Sequence, residues 1–214
     1  MKISYAVTVC NEFIEIQRLI TFLLKHKRPQ DEIVVQMDLT ADDMKNHPED
    51  KSQVHVYLMK HNSQGNIRVV FYPLNNDFAA FKNHLTKECK GDYIFQIDAD
   101  EIPNQTLIEL LPQVIENNSF DICLVPRVNT VEGITQEHIQ MWGWNLNENG
   151  WVNWPDKQWR LYRNTPEIKW KNKVHDRLVG FKTYTSLPEV EEMALYHPKT
   201  IEKQEKQNKF YGTI

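Results

Sequence analysis

Tryptophan is missing from the first 141 residues: all six (Trp142, Trp144, Trp151, Trp154, Trp159 and Trp170) fall in one window. The chain also lacks an apolar run near the ~20 residues that cross a bilayer, and no basic stretch leads into an apolar signal core at its start. A membrane span and a secretory leader are therefore not expected, and a cytoplasmic location is, free or peripheral to the inner membrane face. Cysteine is scarce. Cys10, Cys89 and Cys123 are widely spaced with no C-x-x-C pair, which argues against a disulfide framework or a structural zinc site and predicts thiols. Positive charge is not in excess, since 25 Lys+Arg stand against 29 Asp+Glu for a net charge of -4, so nucleic acid is not the expected main partner. Neither G-x-G-x-x-G nor G-x-x-x-x-G-K-[ST] occurs, which removes the dinucleotide fingerprint and the Walker loop. What remains is 214 residues, 41% hydrophobic and 25% charged, enough to bury the core of one globular domain.

Apolar patterning alternates from the start between short β-rich runs and longer helical ones. Ile3 to Val9 reads as a buried strand, and Glu12 to Leu24 carries Phe13, Ile16, Leu19, Ile20, Leu23 and Leu24 near helical spacing, ending before Pro29. Glu32 to Met37 reads as a second strand, followed by a polar loop with room for a short helix and then a helix over Val54 to His61. Ile67 to Tyr72 is a third strand, Phe78 to Glu88 a helix, Tyr93 to Ile97 a fourth strand, Asn104 to Asn117 a helix and Ile122 to Val125 a fifth strand. Strands separated by helices imply βαβ units and a mainly parallel sheet. Past Arg127 the alternation is lost; the Trp-rich window reads as loops and short antiparallel strands packed on one side of the sheet, and Lys199 to Phe210 as a solvated terminal helix. The fold class expected is α/β, one domain over 1-214, with a half before Arg127 and a smaller half after it.

The sharpest local signal is Asp98-Ala99-Asp100-Glu101, where an apolar strand runs out into a loop. Ligands of open α/β sheets bind outside the carboxyl ends of strands, and two carboxylates one residue apart can share a divalent cation that bridges the phosphates of a nucleotide. A solvated acidic turn is the plainer reading of the tripeptide. Thr8 to Glu12 and Asp38 end neighbouring strands at the same edge. Asn11 has a second reading as the cap of the first helix. Asp38 is suited to accept hydrogen bonds from a base or ribose, or to organise a turn.

The order of these motifs resembles the GT-A glycosyltransferases of family 2, with the small enzymes similar to lipopolysaccharide-core glucosyltransferases closest. The likeness is carried by Val7 to Glu12, Asp31 to Val35 ending at Asp38, Asn76 to Asn83, Lys90 to Ile94 leading into Asp98-Ala99-Asp100-Glu101, Asp156 to Arg163, Val174-His175-Asp176 and His197. It implies a Rossmann-like GT-A sheet flanked by helices, with a donor half (1-127) and an acceptor half (128-214). It implies a nucleotide-sugar site at Thr8, Asn11, Glu12, Asp38, Lys82, Asp98 and Arg160, and a divalent cation, Mn²⁺ or Mg²⁺, held by Asp98, Asp100 and His197. The chain departs from the family in having no acidic pair between Arg127 and Lys173, and Asp176 where the subgroup tends to have Glu.

Glycosyl transfer needs a cation to neutralise the leaving diphosphate, a base for the acceptor hydroxyl and a cavity that keeps water away. Asp176 is the first choice for the base and Asp156 the next, which gives inversion by single displacement from a UDP-sugar to a hydroxyl of a glycan or other acceptor. Arg160 and Arg163 suit phosphate or carboxylate contacts, or ordinary surface pairing. Most of the tryptophans are expected to pack, with Trp142, Trp144 and Trp151 the ones to meet an acceptor sugar. Three rivals remain: a non-catalytic carbohydrate-binding protein, a nucleotidyltransferase, and a transferase whose acceptor is a modified DNA base.

Overall fold

The computed structural model describes residues 1–40 and 48–211. Within them β1 (Ile3–Val9), β2 (Glu32–Asp38), β3 (Arg68–Tyr72) and β4 (Tyr93–Asp98) are parallel neighbours in the order β3-β2-β1-β4. The uninterrupted apolar run of β1 is the pattern of a strand covered on both faces, and it lies between β2 and β4. On one face α1 (Phe13–His26) buries Ile16, Leu19, Ile20 and Leu23, α2 (Pro48–Ser63) contributes Val54 and Leu58, and α4 (Gln105–Asn117) contributes Leu107, Ile108, Leu111 and Ile115. On the other, α3 (Phe78–Glu88) sets Ala79 and Leu85 against Ala6, Val34 and Ile94. The ends of α3 and α4 follow from capping: Asp77 accepts from the Ala80 amide at 2.9 Å and Asn104 from the Thr106 amide at 2.9 Å. The polar loop expected after β2 falls largely outside the described residues, and the helix beyond it begins at Pro48 rather than Val54.

The second part of the chain corrects the expectation of short strands on one side of the sheet. β6 (Ile122–Glu132) and β7 (Val152–Arg163) are long, and β7 enters the sheet itself, antiparallel to both β4 and β6, in the order β4-β7-β6. β6 runs through Arg127, so the compositional break is not a structural one. β11 (Leu195–Thr200) lies parallel to β6 and antiparallel to the short β5 (Ile102–Pro103), while β10 (Tyr184–Ser186) also pairs with β6. Only β8 (Lys169–Lys171) and β9 (Arg177–Val179) form a separate hairpin, which packs on α3 through Trp170. The Trp-rich window also contains a helix the periodicity missed, α5 (Gln136–Trp142), capped by Thr135 and His138 and closed by Gly143 at φ 64°. α6 (Ile201–Tyr211) follows β11 directly. Trp170 is 4% exposed and buried in the core, Trp159 packs against the same cluster, and the other four are half-buried against aromatic neighbours.

Candidate active site at the carboxyl ends of the central strands

Sheet register assembles the site. Thr8 stands opposite Asp98 across β1 and β4, and its hydroxyl donates to Asp98 Oδ1 at 2.8 Å. Arg127 stands opposite Asp156 across β6 and β7, and Asn129 opposite His197 across β6 and β11. Because β7 is antiparallel, its early residues return to the edge where β1, β2 and β4 end, which brings Asp156 and Arg160 to Asp98.

Asp98 is held from behind. Arg160 Nη2 donates to Asp98 Oδ2 at 2.6 Å and to Glu101 Oε1 at 2.5 Å, with the guanidinium almost wholly buried. Burial opposes the charge on Asp98, but the Arg160 guanidinium outweighs it and keeps the carboxyl well below the usual carboxylate range. Surface pairing is right for Arg163, which faces Asp121 at 3.5 Å, and wrong for Arg160. The guanidinium assigned to the nucleotide is spent on the carboxylates of the Asp98–Glu101 turn, because register turns it inward.

Asp100 meets different partners. His197 Nε2 lies 3.4 Å and Lys203 Nζ 3.5 Å from Asp100 Oδ2. Asn129 donates from Nδ2 to Asp156 Oδ2 at 2.7 Å, which turns its oxygen to His197 Nδ1 at 2.8 Å. That network assigns a proton to Nδ1, while burial lowers the imidazole pKa against the opposing pull of Asp100. A carboxylate and an imidazole nitrogen so placed suit a cation between them, with the second ring nitrogen anchored as metal-bound histidines usually are. This donor chemistry fits the metal expected from sequence. Among the described residues, no three His, Cys, Asp or Glu side chains converge as a ready-made cage.

The remaining predicted residues are dispersed around this centre. Glu12 folds onto its own loop, Oε2 accepting from the Cys10 amide at 2.8 Å and the Asn11 amide at 3.1 Å, and burial followed by the nearby Asp100 charge raises its pKa. Glu12, not Asn11, occupies the cap position of α1, and no side chain caps that helix. Asp38 Oδ1 accepts from Thr40 N, Thr40 Oγ1 and Leu74 N at 2.7 to 2.8 Å, whereas its buried Oδ2 has no partner among the described residues. The Lys82 ammonium lies 2.9 Å from Asp176 Oδ2 and 4.5 Å above the Trp170 ring. Asp156 receives Arg127 at 2.9 and 2.7 Å, Asn129 at 2.7 Å and Gln158 at 2.6 Å; burial is outweighed by Arg127, and its pKa is lowered. Trp142 stacks on His138 and lies tilted against Trp144, while Trp151 packs edge-on against Trp154. None of them lines the cleft beside Asp100, whose walls include Glu15, Arg18, Thr130, Gly150, Lys199 and Lys203.

Sequence reasoning missed Glu101, Arg127 and Asn129 as site residues. Glu101 lay in the Asp98–Glu101 motif without a role, whereas only the pairing of β6 with both β7 and β11 reveals Arg127 and Asn129.

Residues 4–186 match the family profile described as Glycosyl transferase family 2. The chain belongs to that family. Its mainly parallel, helix-flanked sheet is that of the GT-A fold. Among solved structures it is similar to S. aureus TarS at 18% identity, with a TM-score of 0.59 over 92% of this chain and 37% of that one. It is similar also to S. aureus TarS 1-349 in complex with UDP-GlcNAc, at 17% identity and TM-score 0.60 over 93% of this chain and 59% of that one. TarS 1-349 in complex with UDP gives 17% identity and TM-score 0.61 over 92% of this chain and 60% of that one. The chain thus spans well under two thirds of the TarS chains it resembles. No curated protein matches the sequence significantly. Among the described residues no helix is long and apolar enough to cross a membrane.

Proposed function

We propose that this family 2 domain, 1-214 acting as one unit, transfers a sugar with inversion from a UDP-sugar to a hydroxyl of a glycan or other acceptor, in a reaction that depends on Mn²⁺ or Mg²⁺. The observation that carries the reading is the Asp100–His197 pair beside Asp98, a carboxylate and an anchored imidazole at the mouth of the strands. The bound crystal forms of TarS 1-349 support a uridine diphosphate donor. Asp100 and His197 would hold the cation and Asp98 would complete its surroundings; when bound it would supply charge to the leaving diphosphate. Asp38, with one buried carboxylate oxygen left over, would accept from the base or ribose. Thr8 and the Cys10–Glu12 loop would shape the floor beneath the nucleoside.

Asp176 is the better of the two bases. Four hydrogen bonds from three side chains hold Asp156 ionised and fixed, whereas Asp176, just before β9, is met by the single flexible ammonium of Lys82 at 2.9 Å. Its carboxylate would take the acceptor proton while Lys82 steadies it. The partly exposed Trp142, Trp144 and Trp151 remain the proposed acceptor platform, as stacking surfaces for sugar C–H faces.

Product formation from a panel of UDP-sugars with and without Mn²⁺ tests the reading. Asp100→Asn is the cleaner variant, because Asp98 also balances a buried guanidinium. Turnover should fall at least about 100-fold on the scale of a lost electrostatic group, with the melting temperature nearly unchanged. Full activity in Asp100→Asn, or equal activity in EDTA, would sink the metal-dependent mechanism.

A further inference from the structure

Glu101 carries no role in the reading above, yet it is fully buried beside the D-x-D. Its Oε1 accepts from Arg160 Nη2 at 2.5 Å and from Arg127 Nη1 at 2.9 Å, and its Oε2 from the Asp98 amide at 3.1 Å. Its own amide donates back to the Asp98 carbonyl at 2.9 Å, so the two residues are locked face to face across one turn. Arg127 reaches on to Asp156 with Nε and Nη2. The result is a linear ionic chain, Asp98–Arg160–Glu101–Arg127–Asp156, in which carboxylates alternate with guanidinium groups and begin and end the series.

Such a chain holds one negative charge in excess. Excess charge inside a protein is unfavourable unless something offsets it, and partners of fixed geometry cannot move to do so. If Arg160 faced Asp98 alone, the pair would be neutral and would offer a cation little. Glu101 divides the same guanidinium nitrogen between two carboxylates, so Asp98 keeps part of its field. Arg127 works against this by drawing on Glu101 from the far side. We infer that Glu101 and Arg127 are opposed positioning residues that set how strongly the D-x-D loop attracts a divalent cation, Glu101 strengthening the attraction and Arg127 weakening it. The inference rests on the metal-dependent reading of the site, and it concerns fixed charge, not substrate contact: neither residue touches the reacting atoms.

The opposite signs make it testable. Glu101→Gln and Arg127→Gln break the same ion pair, so a purely structural role moves both variants in one direction. Mn²⁺ affinity would be measured on the full chain with UDP present, by calorimetry and by the electron paramagnetic resonance signal of free Mn²⁺, beside urea unfolding. Glu101→Gln should weaken Mn²⁺ binding about tenfold or more and Arg127→Gln should tighten it by a similar factor, the scale expected of a nearby unit charge in a partly screened interior. The double variant should return towards the parent value. Weakening in both single variants, in step with lost stability, would overturn the inference while leaving the metal-dependent reading intact. Absence of Mn²⁺ binding in the unmodified chain would overturn both. Should Glu101→Gln fail to fold, the Arg127→Gln arm decides: tighter binding supports the inference, and unchanged or weaker binding overturns it.

Discussion

At the scale of single residues, charge is distributed by what each carboxylate faces. Asp98 and Asp156 are tied to guanidinium groups, Asp100 to an imidazole and an ammonium, and Asp176 to Lys82. The proton acceptor for transfer should be the carboxylate whose partner can let go, and a flexible lysine does so more easily than a forked, buried arginine. Asp176→Asn is expected to cut kcat by about 100- to 10,000-fold, the range of a lost general base. UDP affinity should stay within about twofold, because Asp176 is assigned no donor contact; single-turnover kinetics beside calorimetric titration of UDP would check it. A loss of UDP affinity matching the loss of rate would move Asp176 to the donor side. The residues legible from sequence were those at strand ends in contiguous motifs: Thr8, Asp38, Asp98 and Asp100. His197 was legible only through the family resemblance. Lys82 and Arg160 were found as residues but not their carboxylate partners, because a cation on a motif looks the same whether it faces a phosphate or a neighbouring carboxylate.

At the scale of elements, α1, α3, α4 and the first four strands follow their apolar periodicity closely. The α3 boundaries, Phe78–Glu88, coincide with those expected from sequence. β6 and β7 were cut short or missed because neither keeps a strand period: Arg127, Asn129 and Thr130 break the apolar run of β6, and Asp156, Lys157 and Gln158 stand in a row in β7. The opposite end of the sheet has its own ionic tie: Glu32 at the start of β2 accepts from Lys2 Nζ at 2.9 Å, Ser4 Oγ at 2.6 Å and the Lys90 amide at 2.5 Å. Burial pushes its pKa up, but these hydrogen bonds prevail and leave it below the ordinary 4.5. With the folded pKa lowered, the stabilisation is present above the unfolded value and is lost as pH falls through the folded one. Unfolding free energy should therefore drop from about pH 5 downward, and Glu32→Gln should flatten that slope while lowering stability at pH 7 by about 1 kcal/mol. Urea melts at pH 3 to 7 would show it; parallel pH curves for the two proteins would rule Glu32 out as a contributor.

At the scale of the molecule, composition and architecture disagree about where the chain divides. Tryptophan begins after β6, and sequence suggested a donor half up to Arg127 with an acceptor half laid on it. The sheet does not respect that boundary, because β7 lies between β4 and β6 and supplies Arg160 to the D-x-D. A fragment ending at residue 127 would leave β4 without a neighbour on one side and strip cover from Ile94, Phe95 and Ile122, which pair with Leu161 and Tyr162. It should be insoluble or lack cooperative thermal unfolding by circular dichroism. A soluble fragment with a sharp transition would mean that the donor half is autonomous after all.

The central seat of β7 also dictates an order of events. β6 leaves the ribosome before β7, yet β7 must come between β6 and β4, so adding strands to an open edge in chain order cannot build this sheet. Until residue 163 is available, the edges of β4 and β6 stay open to each other and to other chains, a window in which mispairing competes with folding. Contacts of such wide sequence separation slow the search for the native pairing. Yield on expression should accordingly depend on temperature and translation speed more than native stability alone would suggest.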